Sequence, residues 1–213
     1  MKIINQTWEW VQKPKLPLEI IESAGRTCYK SEDKITSSSA KKFTQMVLKR
    51  GHESVIEHVS ASVRFITNRG VTHELVRHRI CAFSQESTRY VNYGGDDIQF
   101  IRPVWFPNEI TRTTNLRTVE MNWVLAMEKS ESFYKLLLQQ GWRPEQAREV
   151  LPNSLKTEIV VTANLREWRH IFKLRTSKAA HPQIRELMRS CLEGFKRRIP
   201  VIFEDILPYA GHG

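Results

Sequence analysis

The sequence predicts a helix-rich α/β protein that forms a single domain of residues 1–213, and three patterns lead to this prediction. Apolar and polar residues alternate over 59–65, and an apolar, β-branched run covers 158–163, so both segments are expected to be strands. Apolar residues recur every three or four positions over 184–195, which indicates an amphipathic helix. No repeat, low-complexity tract or Gly/Ser-rich linker interrupts the chain, so we expect no domain boundary.

The first predicted helix lies between Ser37–Ser39 and Gly51. Phe43, Val47 and Leu48 recur there at helical spacing, the serines offer an N-cap, and the glycine is typical of a helix end. The strand at 59–65 is expected to end in a turn over 67–70.

Three further helices follow in chain order. A short helix is expected from Val71 to Arg79, and a long amphipathic helix from Thr114 to Gln140. The apolar stripe of the long helix consists of Val119, Trp123, Met127, Tyr134 and Leu137. Its aromatic members, Trp123 and Tyr134, predict core or subunit contacts. The outer face of the helix at 184–195 is expected to carry Arg185, Arg189 and Lys196.

The charge balance favours anionic ligands. Lys and Arg number 33 against 23 Asp and Glu, a formal net charge of +10, so nucleotides, phosphates and nucleic acid are candidate partners. The longest uncharged stretch, 206–213, is far shorter than the roughly 20 apolar residues of a membrane-spanning helix. With no signal-like apolar run near the N-terminus, the expected location is cytoplasmic and no membrane partner is expected.

Cysteine and histidine spacing predicts neither a disulfide framework nor a metal site. The three cysteines, Cys28, Cys81 and Cys191, form no C-x-x-C pair. The pairs His52-Glu53 and His73-Glu74 lack the second histidine of H-E-x-x-H, so no metal is expected. The phosphate-binding glycine motifs of Rossmann folds and P-loops are also absent from the sequence.

The densest polar cluster covers residues 77–90. Its simplest interpretation is a solvated helix end at which Glu74 pairs with Arg77 or His78. On a continuous helix Arg77, His78 and Arg79 would spread over about 200°, so as functional residues they would serve two ligands or two sides of a junction. An extended backbone over 87–89 would place the Ser87 hydroxyl and the Arg89 guanidinium on one face, which suits a phosphate.

This cluster resembles the defining motif of the flavin-dependent thymidylate synthases, which is R-H-R, seven residues, then Ser, with Arg two positions further on. The resemblance extends from about residue 20 to residue 205. Supporting matches in the same order are Gly51-His52-Glu53-Ser54, Arg148 before Leu151-Pro152, Asn164-Leu165-Arg166 and Leu174-Arg175. Gln85 stands where some relatives carry Glu, and Glu74 where some carry Gln.

The resemblance implies a mixed β-sheet in a homotetramer whose active sites lie at subunit junctions. It implies transfer of a methylene group from 5,10-methylenetetrahydrofolate to C5 of dUMP, with FAD as hydride carrier and NADPH as its reductant. The residues implied for FAD are Ser54, Arg77, His78, Arg79, Gln85, Asn164, Leu165, Arg166 and His170. Those implied for dUMP are Glu74, Leu75, Val76, Arg77, Gln85, Glu86, Ser87, Thr88, Arg89, Arg148 and Arg175.

Arg175 is the predicted catalytic residue. Attack of the uracil C5 on an electrophile places negative charge on the N3/O4 or N3/O2 edge, and a guanidinium held there favours that charged form without giving up a proton. The alternative for this residue is a surface arginine near a helix end.

Two other functions compete with this prediction. A conventional thymidylate synthase would need a nucleophilic cysteine, and Cys81 beside Arg79 is the candidate with a nearby cation. A basic nucleic-acid-binding module without catalytic activity is suggested by the net charge and by Lys196-Arg197-Arg198.

Overall fold

Two nine-residue strands, β3 (Ser60–Asn68) and β6 (Lys156–Asn164), are neighbours in a four-stranded sheet of the computed structural model, which describes residues 1–108, 110 and 114–211. Buried and half-buried residues alternate along the whole of β6. Because successive side chains of a strand point to opposite faces, one face of β6 packs on a core. Both predicted strands are confirmed, and each runs beyond its predicted C-terminal end.

The remaining strands complete two sheets. The four-stranded sheet has the order β2-β3-β6-β4, with β2 at Thr7–Gln12 and β4 at Ala82–Gln85. A second, two-stranded sheet pairs β1 (Lys2–Ile4) in parallel with β5 (Gln99–Ile101), and an antiparallel bridge joins Phe100 to Leu155.

Helices outnumber strands in the described part of the chain, which confirms the predicted helix-rich α/β class. None of the described helices has the length and apolar character needed to cross a bilayer. They are α1 (Pro17–Thr27), α2 (Ser39–Lys49), α3 (Arg69–Leu75), α4 (Thr118–Gln139), α5 (Pro144–Ala147), α6 (Leu165–Arg175), α7 (Pro182–Arg198) and α8 (Pro200–Phe203).

The described chain divides into two compact units that are each built from three separate stretches. Unit 1 comprises Met1–Thr7, Phe65–Arg77 and Ser84–Ile159, and unit 2 comprises Trp8–Arg64, His78–Phe83 and Val160–Gly213. The single domain of residues 1–213 stays a prediction.

The junction between β3 and α3 differs from the predicted turn. The strand continues to Asn68, whose side-chain Oδ1 accepts a hydrogen bond from the Val71 N–H at 2.8 Å and caps α3 directly. The helix ends at Leu75 rather than Arg79, because the Arg77 N–H bonds the Glu74 carbonyl three residues back. The R-H-R residues therefore follow the helix, and the predicted fan of three helical side chains is wrong.

Helix α4 supplies the core of unit 1. Tyr134 and Met127 are buried in a cluster with Ile98 and Phe100, and the half-buried Trp123 packs against it. The predicted apolar stripe is confirmed at these positions, although Val119 on the same stripe is exposed.

Aromatic side chains of α6 and α7 form the core of unit 2. The Trp168 and Phe195 ring centroids lie 5.0 Å apart, and Phe195 is also 5.0 Å from Phe203. The Trp168 indole N–H donates to the Ala61 carbonyl at 3.1 Å, which ties α6 to β3 and fixes the helix face that carries the site described below.

One predicted surface residue of α7 is buried. Arg185 is 4% exposed, and its Nη1 donates to the carbonyls of Lys178 and Ala180 while its guanidinium lies 5.0 Å from the Tyr209 ring. The prediction of an outward-facing Arg185 is wrong because the segments before and after α7 fold over it and supply these partners.

Candidate active site

An open cleft of about 570 Å³ lies along α6 in unit 2. Asn164 ends β6 and caps α6, since its Oδ1 accepts a hydrogen bond from the Glu167 N–H at 2.9 Å. Side chains spaced by three or four along α6 share one face of the helix, so they line one wall together. The lining residues are Glu53, Glu57, Ile80, Asn164, Arg166, Glu167, Arg169, His170 and Lys173.

Ion pairs organise the arginines of this wall. Arg166 Nη1 lies 2.5 Å from Glu57 Oε1, while its side chain stays half exposed. Arg169 is buried, and both of its terminal nitrogens lie 2.7 Å from the Asp205 carboxylate. Because this bidentate contact holds the buried Arg169 against the exposed Asp205, Arg169 is constrained, whereas the Arg166 and Lys173 side chains are exposed at the cleft.

His78 is a buried imidazole beside the cleft wall, and both of its ring nitrogens face a charged group. Arg175 Nε donates a hydrogen bond to His78 Nε2 at 3.0 Å, and His78 Nδ1 lies 3.3 Å from Glu167 Oε1. Burial lowers the pKa of His78 to about 4, with further contributions from Arg175 and His170. The ring is therefore neutral at physiological pH.

The pKa of Glu167 is raised by burial, and the nearby His170 opposes this rise. The His78 and His170 rings meet edge to face with their centroids 5.5 Å apart.

The ligand atoms of His78, Glu167 and His170 lie within 4.8 Å of one another, a set that could in principle hold a metal ion. Arg175 Nε can only donate, so Nε2 of His78 must be the acceptor and Nδ1 of the neutral ring carries the proton. A metal at Nδ1 would have to displace that proton from a ring whose other nitrogen is already engaged. The donor pattern thus disfavours a metal, and the metal-free site stays a prediction.

Unit 1 holds a second polar cluster around Glu86. The Tyr93 hydroxyl donates to Glu86 Oε1 at 2.6 Å, and Lys156 Nζ lies 3.1 Å from Glu86 Oε2 and 2.7 Å from Glu158 Oε1. Burial lowers the pKa of Lys156, but the hydrogen bonds from Glu158 and Glu86 and their charges outweigh it, so the net shift is upward. Lys156 is therefore a fixed cation, and Glu86 is held by its neighbours.

The segment after β4 turns rather than extends. The backbone N–H groups of Tyr90 and Val91 both bond the Ser87 carbonyl, and the Arg89 N–H bonds Ser87 Oγ at 3.3 Å. The prediction of an extended backbone over 87–89 is wrong, because these hydrogen bonds fold the segment into a turn. The buried Thr88 hydroxyl instead accepts a bond from Arg148 Nη1 at 3.3 Å.

Gln85 bridges two elements of unit 1. Its Nε2 donates to Thr72 Oγ1 at 3.0 Å and to Thr157 Oγ1 at 3.3 Å. The Thr72 hydroxyl in turn donates to the Arg69 carbonyl at 3.0 Å. The Gln85 amide thereby fixes the end of β4 against α3 and β6.

Comparisons with known proteins identify the family. The family model for the thymidylate synthase complementing protein matches residues 10–201. A flavin-dependent thymidylate synthase of Geobacter sulfurreducens is 36% identical over 199 residues, covering 90% of this chain and 83% of the relative. The chain belongs to the flavin-dependent thymidylate synthase family. A Pyrococcus furiosus member is 33% identical over 205 residues, covering 93% of this chain and 80% of that relative.

A solved structure shares the fold of this flavin-dependent thymidylate synthase family member. It is the UMP/dUMP methylase PolB from Streptomyces cacaoi, bound with 5-Br dUMP, with a TM-score of 0.78 and 24% identity. The match covers 96% of each chain. The α/β fold is thereby supported independently of the sequence motifs.

The predicted site residues of this enzyme differ widely in exposure, and their roles stay predictions. In unit 1, Val76, Arg77 and Arg89 are exposed; Glu74, Gln85, Glu86, Ser87 and Arg148 are half-buried; and Thr88 is buried. In unit 2, Ser54, Arg79, Arg166 and His170 are exposed; Asn164 and Arg175 are half-buried; and His78 is buried. The Leu75 and Leu165 side chains are buried, so each leucine can offer a ligand only its backbone, and the Leu165 N–H already bonds the Val59 carbonyl at 2.8 Å.

The setting of Cys81 disfavours a thiolate mechanism in this enzyme. Burial, with the nearby Glu167 charge, raises the pKa of the Cys81 thiol to about 12. A nucleophilic cysteine needs the opposite shift, because the thiolate is the reactive form.

The basic run at the end of α7 has its own intramolecular partners. Lys196 Nζ lies 3.2 Å from Glu193, and Arg198 Nη2 donates to the Pro14 carbonyl at 3.2 Å. These contacts fit a solvated helix end better than a nucleic-acid surface.

Sequence reasoning missed several residues of the cleft and of the Glu86 cluster. Glu167 follows Asn164 by three residues, a spacing that is typical of a helix start. The sequence pattern therefore gave Glu167 a structural explanation and did not indicate another role. Lys156 and Tyr93 meet Glu86 only through the fold. No local pattern could have shown these contacts.

Proposed function

We propose that this enzyme reductively methylates dUMP to dTMP. In the proposed reaction 5,10-methylenetetrahydrofolate gives its one-carbon unit to C5 of dUMP, C5 loses a proton, and NADPH supplies the hydride. The other products are tetrahydrofolate and NADP⁺. The proposal is supported by membership of the flavin-dependent thymidylate synthase family. It is also supported by the arginines and polar side chains of the candidate site.

The observation that carries the proposal is the half-buried Arg175 guanidinium held on a neutral imidazole. A guanidinium keeps its proton at any physiological pH and presents donors in a fixed plane. Placed against the N3/O4 or N3/O2 edge of uracil, it would stabilise the negative charge that develops as C5 attacks the one-carbon unit. Arg175 is therefore the proposed catalytic residue.

Residues of unit 1 are proposed to hold the dUMP phosphate. Arg89 is exposed, and Arg148 is half-buried with one nitrogen on Thr88. Two guanidinium groups and the Ser87 hydroxyl offer the charge-assisted hydrogen bonds that phosphate takes. We include Glu74, Arg77, Gln85 and Glu86 in the same proposed substrate site.

The donors of the unit 2 cleft fit an anionic dinucleotide such as FAD. Exposed Lys173 offers a cation to its phosphates, as does Arg166 beside its partner Glu57, and Asn164 and His170 offer polar groups. We propose that these residues, with Arg79 and Ser54, hold FAD. When bound, FAD carries the hydride from NADPH to the one-carbon unit.

We further propose a homotetramer whose active sites are shared between subunits. The support is the family resemblance, since exposed arginines such as Arg77 and Arg79 would gain partners from a neighbouring chain. The protein is expected to elute as a tetramer in size-exclusion chromatography with light scattering.

One experiment tests the function as a whole. The purified protein is expected to show the absorption of oxidised flavin, to bleach when NADPH is added without oxygen, and to form dTMP from dUMP and 5,10-methylenetetrahydrofolate. A protein that binds no FAD and forms no dTMP when FAD is supplied would contradict the proposal. Salt-dependent duplex binding without flavin would favour the nucleic-acid module instead.

A further inference from the structure

The imidazole of His78 separates an acidic from a basic side chain. Its side chain is 3% exposed, Glu167 is also buried, and Arg175 is half-buried. The three side chains form a chain of contacts in unit 2 that runs from the Glu167 carboxylate through both ring nitrogens to Arg175 Nε.

The direction of these contacts fixes the tautomer of the ring. Since Arg175 Nε donates, Nε2 must be unprotonated, and the single proton of the neutral ring lies on Nδ1. Glu167 Oε1 lies 3.3 Å from this protonated nitrogen. The lowered pKa of His78 agrees with this arrangement, because a doubly protonated ring would turn an N–H towards the arginine.

We propose that Glu167 is a positioning residue: it holds His78 as the Nδ1–H tautomer, and His78 Nε2 thereby orients the Arg175 guanidinium. A carboxylate that orients an imidazole through its distal nitrogen is a common device where the other nitrogen has a fixed task. In this protein His78 Nε2 accepts a hydrogen bond from Arg175 Nε, the nitrogen that joins the planar guanidinium to the rest of the side chain. This hydrogen bond therefore constrains the plane of the guanidinium. The inference rests on the proposed function, which gives Arg175 its role at the pyrimidine.

Without the carboxylate, the Arg175 donor alone would favour the Nδ1–H tautomer, so the Nε2–H form of the neutral ring would gain population. In the Nε2–H tautomer, the Nε2–H group of His78 would face the Nε–H group of Arg175. The hydrogen bond between them would be lost, and the guanidinium would move away. A displaced guanidinium would no longer meet the negative charge that develops on the pyrimidine. We expect this displacement to lower kcat roughly tenfold to a hundredfold. Binding of dUMP, which the phosphate contacts dominate in the proposed site, would change much less.

The first test uses the ligand-free protein and needs no turnover. Nitrogen-15 NMR of histidine-labelled wild-type protein at pH 8 is expected to show a protonated Nδ1 and an unprotonated Nε2 for His78, with the signal assigned by its loss in His78→Gln. A protonated Nε2, or rapid exchange between tautomers, would overturn the inference. Glu167→Ala is expected to shift His78 towards the tautomer mixture, while Glu193→Gln, a change at an exposed helical glutamate of unit 2, is expected to leave it unchanged.

The second test separates positioning from folding. Glu167→Ala is expected to lower kcat at least tenfold with little change in the KM for dUMP, and His78→Gln, which keeps an acceptor for Arg175, is expected to retain more activity than His78→Leu. Wild-type kcat in Glu167→Ala, or equal losses in the two His78 variants, would overturn the inference while leaving the proposed function intact. Absence of dTMP formation by the wild-type enzyme would instead contradict the proposed function, whatever the NMR result.

Discussion

Arg175 Nε donates a hydrogen bond to Nε2 of the buried His78 at 3.0 Å, across 97 positions of sequence. The arginine of the Leu174-Arg175 motif is thus hydrogen-bonded to the middle residue of R-H-R. His78 therefore has a hydrogen-bond partner within unit 2, and its lowered pKa leaves the ring neutral, so that it accepts from the arginine without carrying charge.

The first prediction concerns Arg175 itself. Arg175→Ala is expected to lower kcat for dTMP formation roughly 10²- to 10³-fold, the usual loss when a donor to developing charge is removed. Arg175→Lys is expected to lose nearly as much, since an ammonium has neither the planar fork nor the Nε–H that His78 accepts. Arg50→Ala, which removes an exposed arginine from the end of α2, serves as the control. Near-normal turnover in Arg175→Ala with the fold intact would remove its assigned role.

The second prediction concerns flavin retention. Arg79 is exposed and available for a charge-assisted bond, which typically contributes about 1.5–3 kcal/mol. Arg79→Ala is therefore expected to weaken FAD binding roughly 10- to 100-fold, measured by titrating apoprotein with FAD and following flavin fluorescence. Unchanged FAD affinity would take Arg79 out of the proposed cofactor site.

The strands of this fold could be predicted from the sequence because their information is local. The β-branched run over 158–163 falls within β6, and the alternation over 59–65 coincides with β3 from Ser60 onward. The end of α3 and the burial of Arg185 could not be predicted in this way. The end of α3 depends on the hydrogen bond from the Arg77 N–H to the Glu74 carbonyl. The burial of Arg185 depends on backbone carbonyls and on the Tyr209 ring, which come near it only in the folded chain.

The candidate site was predictable only as a set of residue types in a recognisable order. The motifs pointed to Arg77–Arg79 and Arg175, but the link between His78 and Arg175 joins segments far apart in sequence. The same holds for Glu86, whose partners Tyr93 and Lys156 come from a loop and from β6. Contacts of this kind follow from strand order and helix placement, not from spacing within one segment.

The third prediction tests the thiol mechanism. Because burial raises the pKa of Cys81 to about 12, its thiol is expected to resist iodoacetamide at pH 8, while the exposed Cys28 reacts. Peptide mass spectrometry over time distinguishes the two sites. Cys81→Ala is expected to keep most of the activity, and complete loss of dTMP formation would favour a cysteine nucleophile.

The fourth prediction concerns Gln85. In Gln85→Glu the group that donates to Thr72 becomes a carboxylate, yet the only hydrogen of the Thr72 hydroxyl is already used on the Arg69 carbonyl. One of the two hydrogen bonds must be lost, so the free energy of unfolding at pH 8 is expected to fall by about 1–3 kcal/mol. Gln45→Glu adds the same charge at an exposed position of α2 and is expected to have little effect. Equal stability of the two variants in urea would show that the Gln85 amide is not a required donor.

The last prediction is a loss of stability on acidification that depends on His78. The groups that face its ring are Arg175, Glu167 and His170, and the pKa of the buried imidazole is lowered from 6.5 to about 4. Between these two pH values His78 is protonated in the unfolded chain but neutral in the native protein. The free energy of unfolding therefore falls as the pH falls from 6.5 to about 4. Between pH 7 and pH 5 this residue alone is expected to remove up to about 2 kcal/mol from the free energy of unfolding. Urea unfolding of wild type and His78→Gln at both pH values checks this: the variant has no imidazole to protonate and should lose less stability, whereas equal losses would mean that the native ring titrates normally.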